Sequence, residues 1–225
     1  MSSEFSTEFD TSTWPRRDAF TFFRGFDKPY FNVCTRVDVA PLRAALAGRA
    51  GTPAGRVMLA CYFVALRLAN AQQPFRLRLQ GGRVWEHAVV HGATTVLRDD
   101  ESFGFAYLDH DDDYDRFAVQ AAAAVDAVRA PGTRFEPRPD DQGLLHFTTL
   151  PWVHFTSFSH ARNWGREDAV PKLAFGRIDR DGAREWLPLS VEVHHALMDG
   201  LHLGRYIEGF EAALRSPGDW LPQRA

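Results

Sequence analysis

The sequence predicts a single α+β domain. Strand-like and helix-like stretches are mixed along it with no regular βαβ alternation, which argues against a doubly wound fold. Its 225 residues are enough for one substantial core, and 45% hydrophobic with 24% charged residues is an ordinary globular composition. No repeat or inter-domain linker interrupts it, so one domain is expected over 1–225. Residues 1–13, polar and rich in Ser, Thr and Glu, are expected to form a flexible N-terminal extension.

The elements follow in order. Trp14 and Pro15 lead a short helix over 14–27, with Pro at an early helical position. Tyr30 to Val39 alternates as a strand does. Pro41 to Ala50 reads as a short helix, closed by the Gly/Pro break of 51–55. Val57 to Ala71 is strongly apolar and helical, and Phe75–Leu79 with Arg83–Trp85 flank a Gln80-Gly81-Gly82 hairpin signal. Ala93–Leu97 is a further strand, and Tyr114 to Ala130 an alanine-rich helix preceded by acidic residues. Phe147–Phe158 is strand-like until Pro151 and Trp152 bend it. Lys172–Ile178 and Trp186–Val193 form a second hairpin around 179–182, and Leu201, Leu203, Tyr206, Ile207, Phe210 and Leu214 mark a last helix.

Composition narrows the function. A net charge of −3 with no basic tract excludes nucleic acid as the expected partner. No signal peptide or spanning apolar run is visible, so a cytoplasmic protein without a membrane partner is expected. Cys34 and Cys61 lie in apolar stretches and are expected to fill the core rather than pair. Eighteen phenylalanines are mostly core, but groups such as Phe20, Phe22, Phe23 and Phe26, or Phe103 and Phe105, suit an apolar small-molecule pocket.

The densest chemistry is His194-His195, followed by Asp199-Gly200, between the last strand and the last helix. Three readings of it stand open. His195 can serve as a general base held at a strand end. His195, Asp199 and His202, spaced i, i+4, i+7, can be metal ligands, although the Asp-Gly break speaks against one shared helical face. Or Asp199 simply caps the helix starting at Gly200 while the histidines bond within the sheet.

Beyond these residues, Leu187–Phe210 resembles the C-terminal signature of the type A chloramphenicol acetyltransferases, within the CoA-dependent acyltransferases. Trp14 to Phe23, Phe75 to Trp85 followed by Glu101 to Phe103, and Leu150 to Phe158 resemble further segments of that family in the expected order, covering nearly the whole chain. The resemblance implies a two-layer α+β sandwich, a mixed sheet with helices on one face. It also implies a homotrimer with active sites at subunit interfaces, acetyl-CoA as co-substrate, no metal, and chloramphenicol as the hydroxyl acceptor, with antibiotic resistance as the outcome. His195 would be the general base in a direct ternary-complex transfer, Asp199 would pair with Arg16 in a positioning role, and Thr148, where the family has serine, would donate to the oxyanion. Phe22, Phe103 and Phe135 match aromatic positions of the acceptor pocket. The chain departs from the family there: Phe23 stands for a tyrosine, Pro29 for a small residue, His160 for a leucine and Ala174 for a threonine. On the coenzyme side Trp152 would pack against the pantetheine arm and Arg177 would approach a phosphate, while 54–56 departs from the family pattern. Rival readings are an acyltransferase of this fold with another hydroxyl acceptor, a non-catalytic binder of hydrophobic ligands, and, last, a metal-dependent hydrolase.

Overall fold

A computed structural model describes residues 6–138, 141–162 and 167–222. Its elements run β1 (Ser6–Glu8), α1 (Arg17–Phe23), β2 (Tyr30–Asp38), α2 (Ala40–Leu46), α3 (Val57–Ala71), β3 (Leu77–Gln80), β4 (Arg83–His87), β5 (His91–Leu97), β6 (Phe103–Leu108), α4 (Tyr114–Arg129), β7 (Leu144–Thr149), β8 (Lys172–Phe175), β9 (Asp179–Asp181), β10 (Arg184–His194) and α5 (Gly200–Arg215). The main sheet has the order β2-β10-β8-β7-β5-β6, with β9 paired to β10. It is mixed: β5 with β7 and β7 with β8 run parallel, while β2, β6 and β9 join antiparallel. A small second sheet has the order β1-β4-β3.

Period-2 alternation assigns the two faces of the main sheet. Along β10, Leu187, Leu189, Val191 and Val193 enter the core, while Ser190, Glu192 and His194 take the opposite face. Helix α3 lies in the core layer between α4 and α5, and its near-continuous apolar sequence is explained by burial of Leu59 through Leu66. The Tyr62 hydroxyl stays satisfied there by Thr149 at 2.6 Å and Thr94 at 3.2 Å. The expected two-layer arrangement is thus observed, and the sheet face away from the helices is left for other use. Among the described residues no helix is long and apolar enough to cross a membrane.

Two glycine positions follow from backbone need. Gly81 and Gly82 both have positive φ, +60° and +73°, as a two-residue hairpin turn of the observed hand requires. Gly176 has no room for a side chain, because an added Cβ would lie 2.8 Å from the Pro188 ring. The glycine lets Pro188 sit inside β10, where its carbonyl still accepts from the Gly176 N–H at 3.0 Å.

Several expectations are corrected. The N-terminal extension is not loose from Ser6 onward: β1 pairs with β4, and Phe9 packs edge-on against Trp14 at 5.3 Å. Three residue pairs with β4 therefore order a polar segment whose composition alone reads as tail. Phe103–Leu108, read only as an aromatic cluster, is the edge strand β6. The helix expected over 41–50 ends at Leu46 and tightens into a 3₁₀ turn over Ala47–Arg49. Cys61 is fully buried as expected, whereas Cys34 is only half-buried, its thiol bonded to Asn32 Oδ1 at 3.3 Å.

Arg78 on β3 ties the two sheets together. Its guanidinium is fully buried and donates to the carbonyls of Phe75, Leu77, Gln142 and Leu144 at 2.6–2.8 Å. Burial lowers its pKa to about 9.

Candidate active site

The turn between β10 and α5 places His195 one residue past the strand end. Its backbone N–H donates to the Pro29 carbonyl at 2.6 Å, which anchors the turn to the start of β2. Its ring Nδ1 lies 3.1 Å from the Met198 carbonyl oxygen. A carbonyl can only accept, so Nδ1 is the donor, and in the neutral ring that places the lone pair on Nε2. Phe23 stacks on the imidazole with centroids 3.7 Å apart and planes 12° apart, and Phe31 flanks it at 4.6 Å. Both the tautomer and the ring plane are therefore set by the local chain.

Arg16, just ahead of α1, fastens the same turn from outside. Its Nε donates to Asp199 Oδ2 at 3.2 Å, Nη1 to the Ala196 carbonyl at 3.0 Å and Nη2 to the His195 carbonyl at 3.2 Å. Only a planar guanidinium reaches three such acceptors in one fork. Asp199 has a second task. It is the N-cap of α5, accepting from the Leu201 N–H at 3.1 Å, while His202 Nδ1 accepts from the Asp199 N–H at 3.1 Å to complete a capping box. Burial works to raise the Asp199 carboxyl, but His202 and Arg16 outweigh it and hold it below its ordinary value. The carboxylate thus ties Arg16 to the start of α5. The i, i+4, i+7 spacing does not gather three ligands on one helical face, since α5 begins only at Gly200 and His202 serves the cap.

A second centre lies on the open face of the sheet. On β7, Phe147 stacks against Tyr62 and Thr149 bonds it, so His146 and Thr148 face the other way, into a cavity of about 460 Å³. Phe103, Phe105 and Phe158 supply its apolar walls, and His160 and Lys172 add polar groups. Thr148 is in register with Ala174 on β8, and His146 with Lys172. Behind the cavity, Arg162 bridges Glu192 at 2.8 Å and Asp168 at 3.0 Å, and Lys172 reaches Asp168 at 2.9 Å.

The expected site residues divide between these centres. Thr148, Phe103 and His160 line the cavity; Phe135 packs edge-on against Phe103 at 5.5 Å, and Ala174 is the fully buried neighbour of Thr148. Phe22, Phe23 and Pro29 lie with His195 instead: Phe23 stacks on the ring, Phe22 packs on Phe23 at 5.1 Å, and Pro29 supplies the backbone acceptor. None of those three, nor His195 itself, is among the residues lining the cavity. Trp152 presents an exposed indole, and Arg177 reaches its carbonyl at 3.3 Å while pairing with Asp179 at 3.0 Å.

Sequence reasoning missed the Met198 carbonyl, which no side-chain motif can signal, and the polar groups His146 and Lys172. Lys172 did leave a signal: a lysine opening an otherwise apolar strand is a cation on a buried face.

A family model described as chloramphenicol acetyltransferase matches residues 4–211. A chloramphenicol acetyltransferase of Streptomyces acrimycini is 31% identical over 217 residues, covering 94% of this chain and 95% of that one. Chloramphenicol acetyltransferase 3 of Escherichia coli is 25% identical over 213 residues, covering 93% and 97%. Among solved structures, a chloramphenicol acetyltransferase superposes with a TM-score of 0.77 at 23% identity, covering 93% of this chain and 99% of that one. A dihydrolipoamide acetyltransferase of Azotobacter vinelandii shares the fold at a TM-score of 0.63 and 16% identity.

Proposed function

The chain belongs to the chloramphenicol acetyltransferase family, and from that premise we propose that it transfers acetyl from acetyl-CoA to a hydroxyl of chloramphenicol. The observation that carries the mechanism is the Nδ1–H bond from His195 to the Met198 carbonyl, which leaves Nε2 free to accept a proton. Nε2 takes the proton of the acceptor hydroxyl as its oxygen attacks the thioester carbonyl. The tetrahedral oxyanion accepts from the Thr148 hydroxyl. Collapse breaks the C–S bond, and the imidazolium returns the proton to the departing thiolate. Arg16 and Asp199 hold the turn that bears the base and take no proton. Trp152 offers a flat apolar surface to the pantetheine arm, and Arg177 a guanidinium to a phosphate.

The division of the site into two centres supports a homotrimer in which one protomer supplies His195 and its neighbour supplies Thr148 and the cavity. Drug modified in this way would lose a hydroxyl, and resistance would follow; a cytoplasmic location suits a reaction that consumes acetyl-CoA. The test is to mix purified protein with acetyl-CoA and chloramphenicol and follow free thiol. No release above background refutes the substrate, and a fully active His195→Ala variant refutes the mechanism. Sedimentation then reads the assembly. A second reading, another hydroxyl acceptor, is favoured by one observation: the cavity carries a lysine and two histidines among its aromatic walls.

A further inference from the structure

The cavity beside Thr148 has a polar floor with a definite sign. Its lining includes the cations Lys172 and Arg138 and the imidazoles of His146 and His160, and no carboxylate. The two carboxylates behind it are already matched, Glu192 by Arg162 and Asp168 by both Arg162 and Lys172. Arg138 lies over the Tyr107 ring at 3.9 Å and forms no ion pair among the described residues, so the lining itself presents cationic donors and no carboxylate.

Two of these groups have donor capacity to spare. The Lys172 ammonium spends two of its N–H groups on the Ala161 carbonyl at 3.1 Å and Asp168 at 2.9 Å, leaving the third. His160 Nε2 is sealed from solvent without a hydrogen-bond partner among the described residues. Such a buried polar atom is costly unless something pairs with it. Burial pushes both His146 and His160 down to about 4, so each stands as a neutral imidazole, able to offer one ring N–H.

We propose that this cavity receives an acceptor alcohol that carries a carboxylate, seated on Lys172 and His160, with its ring between the phenylalanine walls and its hydroxyl at Thr148. His146 and Lys172 are paired across β7 and β8, two residues from the Thr148 and Ala174 pair. The anion therefore sits about 7 Å from the reacting end, two strand residues away. A benzylic alcohol with a para carboxylate spans that interval. The inference rests on the acetyl-transfer reading for the position of the hydroxyl, whereas the seat for the anion is read by binding alone.

The experiment compares 4-(hydroxymethyl)benzoate with benzyl alcohol. Calorimetric titration of the assembled protein at neutral pH should give at least about tenfold tighter binding of the benzoate, the scale of one charge-assisted bond. Lys172→Met and His160→Leu should each erase that preference; His160 lies outside the ion-pair set of Arg162, so its variant serves if Lys172→Met does not fold. Equal affinity for the two alcohols in the unaltered protein, or a preference that survives both substitutions, overturns the proposal. With acetyl-CoA present, thiol release separates the two readings. Benzoate that binds selectively in a protein that acetylates nothing keeps the seat and removes the transfer; equal turnover of both alcohols does the reverse.

Discussion

Replacing Asp199 separates its two tasks. Asp199→Ala removes the N-cap of α5, worth about 1 kcal/mol, and the ion pair to Arg16. The pair is partly open, with side-chain exposures of 13% for Arg16 and 40% for Asp199, so screening limits it to about 0.5 kcal/mol. The combined loss of about 1.5 kcal/mol should lower the unfolding midpoint by roughly 3–6 °C in a chain of this size. Asp199→Asn keeps an amide oxygen that can cap the helix and accept from Arg16, and should lose only about 0.5 kcal/mol. Activity should follow the same order, since displacing the turn that carries His195 by about 1 Å costs on the order of 10²-fold in kcat. Thermal unfolding followed by circular dichroism, paired with thiol release, reads both. The sign with pH follows from the lowered carboxyl: its contribution is present above the ordinary value of 3.8 and lost as pH falls through the folded value. The gap between the unaltered protein and Asp199→Asn should close in acid. An unchanged midpoint in Asp199→Ala, or an Asn variant as unstable as the Ala variant, would refute the assignment of a cap.

Three further outcomes are expected. Thr148→Val, which keeps the shape and removes the hydroxyl, should lower kcat by about 10²–10³-fold while Thr148→Ser stays active; steady-state kinetics with equal losses in both variants would count against an oxyanion role. Arg78→Leu orphans buried carbonyls of Phe75, Leu77, Gln142 and Leu144 and should cost about 3 kcal/mol or more in urea unfolding; a loss below about 1 kcal/mol would mean that water replaces the guanidinium. His87, His146, His160 and His194 are all pushed down to about 4 by burial, against an ordinary 6.5. The unfolded chain then binds protons that the folded one refuses, so stability is complete above about 6.5, falls as pH drops toward 4 and levels below. A urea midpoint that stays flat across that window would contradict the burial of these rings.

Local periodicity made most of the architecture legible. The span of α3 and the core face of β10 follow directly from apolar spacing, because burial and periodicity are one constraint there. Strand β1 was hidden because its ordering comes from pairing with β4, a contact nearly eighty residues distant that polar Ser6, Thr7 and Glu8 do not announce. At the site, the motif at 194–200 indicated a base, a cap or a ligand set; the geometry shows Asp199 capping α5 and His195 Nδ1 facing the Met198 carbonyl, details that spacing alone does not carry. Within one chain, the residues that the resemblance assigns to one acceptor pocket lie in two groups. Phe23 and Pro29 contact His195, whereas Phe103 and His160 line the cavity. Chain order cannot reveal that division, since it depends on where the ends of β2, β7 and β10 lie in space.

The alternation along β7 restricts how this chain can be changed by mutation. Phe147 and Thr149 face Tyr62, while His146 and Thr148 face the cavity. Point substitutions on the cavity side change the lining one residue at a time without touching the core. A single inserted or deleted residue within Leu144–Thr149 would do the opposite: it would rotate phenylalanine into the cavity and threonine hydroxyl into the helix layer together. The cavity lining is thus open to changes of residue identity on this strand and closed to changes of its length.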